Sequence, residues 1–236
     1  MPPLTSSYRM LVCTARVFAI WFLTTLAALP AAAQDNRGVF AGALFGVSTL
    51  SADAQSVTTG PDAAISLYEP KNGLALDVVA GMHVATYFSL QINWMWNRND
   101  ITIVSSFTTP HGGGFYEQRR RSRQHAVVFD GLIYFRRRDS VVRPYLGTGL
   151  SILHFSSSDV LSSSVQGLEP PTTEIASTEI GLRSHVGIDI RLSRRLSFRY
   201  SFSETISGNP ISASLTPPAP RRLANFQNLF GVVARF

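Results

Sequence analysis

The sequence predicts an all-β protein, an eight-stranded antiparallel up-and-down transmembrane β-barrel preceded by a cleavable signal peptide. Three observations carry this reading. Segments of alternating apolar and polar residues recur along the chain with the period of two that a β-strand imposes. The spacers between them run long, short, long, short, long, short, long. After the first 33 residues no apolar run approaches the ~20 residues of a membrane helix, although 45% of the chain is hydrophobic.

At the amino terminus, Arg9 and Arg16 precede the apolar run Val17 to Leu29, which is followed by Pro30, Ala31, Ala32, Ala33 and Gln34. A charged region, a short apolar region and an A-x-A site make residues 1–33 a signal peptide with cleavage after Ala33, and residues 34–236 the barrel domain. Cys13 is the only cysteine and precedes the apolar run. The processed chain is thus expected to hold no thiol, hence no disulfide, thiolate metal site or sulfur-linked lipid anchor. Loss of Arg9 and Arg16 takes the formal charge from +6 to +4. Nearly all of the positive charge is arginine, because Lys71 is the sole lysine.

Eight strands can be laid out in order. The first, Arg37 to Leu50, leads into a polar loop over Ser51 to Lys71. The second, Gly73 to Val84, sets Leu74, Leu76, Val78, Ala80 and Met82 against Asp77, Gly81 and His83, and ends at a tight turn near Ala85 and Thr86. The third, Tyr87 to about Val104, sets Phe88, Leu90, Ile92, Trp94 and Trp96 against Ser89, Gln91, Asn93 and Asn97; a loop from Ser105 to Arg121 follows. The fourth, Ser122 to Phe135, sets Val127, Phe129, Ile133 and Phe135 against Asp130, and a turn over Arg136 to Val142 leads to the fifth, Arg143 to Phe155. A serine-rich loop reaches Glu174. The sixth, Ile175 to Ile190, places Ile180, Leu182, Val186, Ile188 and Ile190 opposite Glu179, Arg183, His185 and Asp189. The seventh, Leu196 to Ile206, opposes Leu196, Phe198, Tyr200 and Phe202 to Ser197, Arg199, Ser201 and Ser203. A proline-rich loop, Ser207 to Arg222, precedes the last strand, Leu223 to Phe236.

The alternation of spacer lengths and the even strand number separate a membrane barrel from a secreted β-sandwich. In a sandwich the apolar face is the core; here the opposite face carries charges flanked by glycine, which suits a narrow lumen. Closure also removes edge strands, which lipid does not tolerate. The last strand ends on Phe236 in the manner of the closing strands of bacterial outer-membrane barrels, where that residue belongs to the signal read by the barrel-assembly machinery. Arg143, Pro144 and Tyr145, followed by Gly147 and Gly149, make the resemblance specific. The chain resembles the single-domain outer membrane protein beta-barrel family, similar in form to small barrels of the outer-membrane protein A and X type. The resemblance implies a bacterial cell outer membrane location with both chain ends periplasmic, long loops outside and contact with the barrel-assembly machinery during biogenesis. A monomer is expected.

By parity Asp77, His83, Asp130, Glu179, Arg183, His185, Asp189, Arg199 and Arg235 point into the lumen. Side chains fill an eight-stranded ring, so these are expected to form a structural charge network rather than line an open channel. Their spacing matches no metal-ligand motif, and no metal or cofactor is expected. His154 and Ser156 form an H-x-S triplet similar to the His-x-Ser-Asn motif of the lipid A 3-O-deacylases. Ser157 stands where that family has Asn, and the nearby acid, Asp159, is at a different spacing, so the chain is expected not to be an enzyme. His111 to Gly114 reads HGGG, but without a G-x-S-x-G elbow it is turn chemistry. Arg119, Arg120, Arg121 and Arg123, with Arg221 and Arg222, are expected to cluster at the extracellular rim, where guanidinium forks suit lipopolysaccharide phosphates. Arg136 to Arg138, Arg194 and Arg195 fall at periplasmic turns, next to anionic phospholipid headgroups. Tyr87, Phe88, Tyr134, Phe135 and Tyr145 read as an interfacial aromatic girdle. Nucleic acid is not an expected partner of an exported barrel, despite a calculated pI near 10.0. The expected role is non-enzymatic: envelope integrity, or interaction through the extracellular loops with surface lipid or an external partner. A narrow, porin-like pore for small solutes or ions is the second reading and a lipid A-modifying enzyme the third.

Overall fold

The computed structural model describes residues 38–50, 55–59, 63–109, 112–165, 174–211 and 222–236. The expected signal peptide, Arg221 and His111 lie outside these residues. Ten antiparallel strands run in order: β1 (Val39–Leu50), β2 (Gln55–Thr58), β3 (Ala63–Pro70), β4 (Gly73–His83), β5 (Phe88–Thr109), β6 (Gly112–Tyr134), β7 (Val142–Val165), β8 (Ile175–Arg191), β9 (Leu196–Gly208) and β10 (Arg222–Arg235). Eight of them, β1 and β4 to β10, close into a ring. β1 pairs with β10 from Phe40↔Arg235 to Leu50↔Asn225 and, on its other side, with β4. The β5–β6 pairing completes the circle. No helix among the described residues is long and apolar enough to cross a membrane.

The eight expected segments all become ring strands, and the three short spacers are turns. The long spacers differ from expectation. Ser51 to Lys71 contains the β2–β3 hairpin, with β3 lying beside the far half of β5 from Ala63↔Thr108 to Pro70↔Ile101. There β3 continues the place that β4 holds beside the near half of β5, and the break between them is spanned by a hydrogen bond from Lys71 N to Asp100 O at 2.8 Å. The expected Ser105 to Arg121 loop is strand: β5 and β6 stay paired to Thr109↔Gly112, where Gly112 has φ of +140°, a backbone conformation open to glycine. β7 also runs on through the serine-rich stretch to Val165. In these stretches both faces are largely polar, so the apolar alternation fades while the pairing continues.

This makes the ring lopsided. β5, β6 and β7 have 22, 23 and 24 residues, against 11 to 14 for β1, β4, β9 and β10. A strand crosses a bilayer in ~9–11 residues. One wall therefore stands about twice as tall as a crossing requires. The rim bearing the short turns is called here the turn rim, and the opposite one the hairpin rim.

Two glycines of the fifth expected strand show why it carries them. A Cβ on Gly147 would lie 2.0 Å from His185 Nε2, and one on Gly149 would lie 2.1 Å from the Phe129 carbonyl and 2.2 Å from Asp130 Oδ1. The Gly-x-Gly spacing thus gives inward room for two lumen side chains of neighbouring strands. Replacing Gly147 by valine is expected to cost at least ~1–3 kcal/mol by overpacking, read as a lower urea midpoint in detergent or vesicles. Serine at the outward Thr148 should leave the midpoint unchanged.

Candidate functional site

Inward side chains fill the ring in zones. Near the turn rim an aromatic belt links Phe40 to His83 at 5.1 Å between ring centroids, His83 to Tyr134 at 6.0 Å, Tyr134 to Tyr145 at 5.4 Å and Tyr145 to His185 at 5.6 Å. His83 Nδ1 shares a hydrogen bond of 2.6 Å with Ser89 Oγ.

Next to this belt is the charge network. Arg199 donates to both carboxylate oxygens of Asp189, Nε to Oδ1 at 2.6 Å and Nη2 to Oδ2 at 2.8 Å; its Nη1 donates to Gln91 Oε1 at 3.1 Å. Tyr134 Oη accepts from Arg199 Nη2 at 3.0 Å and donates to Asp189 Oδ2 at 3.0 Å. Arg183 bridges two acids from different walls, Asp77 Oδ2 at 3.2 Å on β4 and Asp130 Oδ2 at 3.1 Å on β6. The same Asp130 oxygen accepts from Asn93 Nδ2 at 2.7 Å and Gln91 Nε2 at 3.2 Å, and His185 Nε2 stands 3.5 Å away. Farther on, Ser48, Asn97, Asn99, Gln124 and Asn225 form an amide and hydroxyl layer. Leu50, Ile101, Ile103, Tyr116, Phe155, Ile211 and Leu223 belong to an apolar cluster toward the hairpin rim.

Of the nine residues assigned to the lumen by parity, Asp77, Asp130, Arg183, His185, Asp189 and Arg199 come together as ionic contacts. The other three face inward but do not join them. His83 sits in the aromatic belt, and Glu179 and Arg235 are only half-buried, nearer the two rims, where the ring no longer forces a partner on them; neither enters an ion pair among the described residues. Alternation alone missed Gln91, Asn93, Tyr134 and Arg143 as functional members. The first two face inward as expected, as neutral residues, whereas Tyr134 and Tyr145, expected in the girdle with Tyr87, Phe88 and Phe135, are each buried at 2% exposure. The sequence signal was available: Tyr134 has the same parity as Asp130.

On the outer face an apolar band reaches from the turn rim to the row Trp94, Val127, Ile152 and Ile180 across β5 to β8. The next row is Trp96, His125, His154 and Thr178, with His154 Nδ1 and Thr178 Oγ1 at 3.0 Å. Beyond it come Arg98, Arg123 and Ser156, then Asp100, Arg121 and Ser158. From Phe88 to Trp96 is about nine residues, the length of a membrane crossing.

A family profile described as Outer membrane protein beta-barrel domain matches residues 18–236. The chain belongs to this family. Its fold is similar to that of Neisserial surface protein A (NspA), at 14% identity and a TM-score of 0.53 over 84% of this chain and 97% of that one. Lower similarity extends to Ail, the attachment invasion locus protein of Yersinia pestis (9% identity, TM-score 0.47, 86% of this chain and 100% of that one), and to the N-terminal β-barrel domain of Pseudomonas aeruginosa OprF (11%, 0.42, 84% and 97%). No curated protein sequence matches. As an outer-membrane barrel protein, the chain carries its apolar band on the face that such barrels turn to lipid.

The arginines expected at one rim are divided by parity. Arg119, Arg121 and Arg123 face outward, whereas Arg120 points into the wall's inner side at 1% exposure, with Nε on Ser157 Oγ at 3.2 Å and Nη2 on the Ser157 carbonyl at 2.8 Å. A run of adjacent residues on a strand cannot present one face, so Arg120 is corrected from a rim contact to an interior one. Arg119 is paired with Glu117 at 3.6 Å and Arg121 with Asp100 at 3.5 Å. Arg123 instead lies directly opposite Arg98, and among the described residues neither has an ion-pair partner. Arg222 is exposed at the start of β10, across from Gly208, away from that group. His154 and Ser156 share the outward face of β7, and no carboxylate bonds to His154 among the described residues. Phe236 is exposed, its N–H donating to the Val39 carbonyl at 2.9 Å.

Removing Arg183 leaves Asp77 and Asp130 facing each other without their shared cation. Arg183→Met is expected to lower stability by ~3–5 kcal/mol, read as a drop in the urea midpoint. Adding Asp77→Asn should recover part of the loss, and a double-mutant cycle measures the coupling.

Proposed function

We propose that this outer-membrane barrel is a closed, non-enzymatic anchor that holds lipopolysaccharide phosphates against its outer wall and raises the β5–β7 wall into the extracellular space as an interaction surface. The turn rim is then periplasmic, with both chain ends there, and the hairpin rim faces outward.

The observation that carries the reading is the Arg98–Arg123 pair. Two like charges directly opposite on neighbouring strands repel each other. They stand one row beyond Trp96, where the apolar band stops, which is the depth of phosphate headgroups. A phosphate between them accepts hydrogen bonds from both guanidiniums and removes the repulsion. Arg121 is close by in the next row, and its pairing with Asp100 tempers its share. The tall wall supports the second half of the reading. Among the described residues β7 pairs with β8 only as far as Ser157↔Ile175, so from Ser158 to Val165 that edge has no partner strand there, and Val160 and Leu161 are exposed. Such an edge offers backbone donors and acceptors to a partner strand.

The lumen supports an anchor over a pore, since charge network, amide layer and apolar cluster succeed one another across it. Planar-bilayer recordings are expected to be silent; discrete, reproducible current steps would favour the pore. The lipid A-modifying alternative has one observation in its favour, the shared outward face of His154 and Ser156 at the lipid edge. Lipid A mass spectra are expected to be the same with wild type and His154→Ala. For the headgroup site, Arg98→Gln with Arg123→Gln should reduce lipopolysaccharide co-purifying with the barrel several-fold, while Arg222→Gln leaves it unchanged. Equal recovery in both would overturn the assignment.

A further inference from the structure

We propose that the turn-rim end of the lumen is an oxyanion site, with Arg143 as its buried arm and Arg138 and Arg235 at its mouth, taking a phosphate-class group. Arg143 is 1% exposed, yet among the described residues its Nε, Nη1 and Nη2 have no hydrogen-bond partner. Its guanidinium carbon lies over the Tyr134 ring, 3.8 Å from the centroid, a contact that engages the cation but none of its N–H donors as hydrogen bonds. A guanidinium carries five donors in a plane and no acceptor, and burying them unsatisfied is costly.

The acid across the strand pair does not serve them. Asp189 is opposite Arg143 across β7–β8, but both of its oxygens are taken by Arg199, and one also by Tyr134. Two further cations gather at the same end. Arg138 donates through Nη2 to the carbonyls of His83 at 3.1 Å and Ala85 at 2.9 Å. Arg235 faces inward on the last turn of the wall, in register with Phe40, whose ring contacts His83. Arg138, Arg143 and Arg235 all lie within electrostatic range of His83, and Arg138 and Arg235 within that of Arg143. The lumen network already matches its own acids in part: Arg199 neutralises Asp189, and Arg183 is shared by Asp77 and Asp130. Arg143 adds a balancing charge at a distance but supplies none of those contacts, so its donors are left without an acceptor among the described residues.

Three guanidiniums around one mouth fit a tetrahedral oxyanion, which takes several forked donors at once. The group is a free phosphate or the phosphate of an anionic lipid headgroup. Because Arg143 is covered, binding requires the rim side chains to move aside, and Arg138 and Arg235, both half-buried, are the arginines placed there to do so. The site lies at the opposite end of the barrel from the Arg98–Arg123 pair and stands whether or not that reading holds.

The test uses the whole refolded barrel in an uncharged detergent. Urea midpoints are measured with sodium phosphate against sodium chloride at equal ionic strength, and separately with phosphatidylglycerol doped into the micelles. A ligand that binds only the folded barrel raises its midpoint with concentration. Wild type is expected to gain stability with phosphate, with phosphatidylglycerol, or with both, and Arg143→Met to lose that gain. A gain with inorganic phosphate assigns a soluble anion; a gain with the lipid alone assigns a headgroup. With neither ligand present Arg143→Met should match or exceed the wild-type midpoint, because it removes buried donors that have no acceptor among the described residues. Overturning results are a wild-type midpoint indifferent to both, a gain equal in Arg143→Met, or a fall in the Arg143→Met midpoint without ligand, which would make Arg143 a structural counter-ion. Arg138→Gln with Arg235→Gln is the second variant; it leaves the buried arm in place and should weaken the ligand-dependent gain without abolishing folding.

Discussion

Hydrocarbon offers no hydrogen bonds, so each backbone N–H and C=O of the wall within it must be satisfied by a neighbouring strand, and the pairing of β1 with β10 is what closes the ring there. Closure in turn dictates the interior. With eight strands the circumference is small, and every second residue of every strand enters a space that side chains fill. Glycines at Gly147 and Gly149 give way to His185 and Asp130, and charges that enter must find partners there. The aromatic belt, the Arg199–Asp189 fork and the Arg183 bridge are the form that this filling takes.

The ring was legible in the sequence because lipid on one side and packed polar groups on the other write a period of two into each strand. Leu74 to Met82 against Asp77 and His83, or Leu196 to Phe202 against Arg199, leave no second interpretation of parity. Where the wall leaves lipid the pattern stops, although the strands do not. Gln118, Arg120 and Ser122 face in while Glu117, Arg119 and Arg121 face out, and alternation of polar with polar reads as loop. The hairpin β2–β3 and the outer halves of β5, β6 and β7 were hidden for that reason. Alternation reports the solvent on each face, and strand only by way of it.

The same limit explains which site residues were found. Parity gave the direction of Asp77, Asp130, Arg183, Asp189 and Arg199, but the partners come from strands distant in sequence, and the register that brings them together is not written in any spacing. Arg98 opposite Arg123 depends on the β5–β6 register, set by a hairpin whose turn residues give no hydrophobic cue. Arg143 was visible only as part of the Arg-Pro-Tyr start of a strand. That its donors lack partners follows from Arg199 having claimed Asp189, a competition between two arginines that no spacing reveals.

A wall stitched only edge to edge fixes distances between neighbouring strands but leaves its cross-section free to flatten. The lumen contacts supply what the wall lacks. Arg183 on β8 reaches Asp77 on β4 and Asp130 on β6; Arg199 on β9 reaches Gln91 on β5; Asn225 on β10 meets Gln124 on β6. Each joins strands that are not neighbours in the ring, and each has directional geometry that an apolar filling of equal volume would lack. Replacing a buried ion pair by apolar groups can be neutral or stabilising, so the energetic gain from these struts is modest. Their contribution is to hold one cross-section. Arg98 and Arg123 then keep a fixed separation on the outer wall and Arg143 a fixed place under the rim, as binding a multivalent anion with forked donors requires.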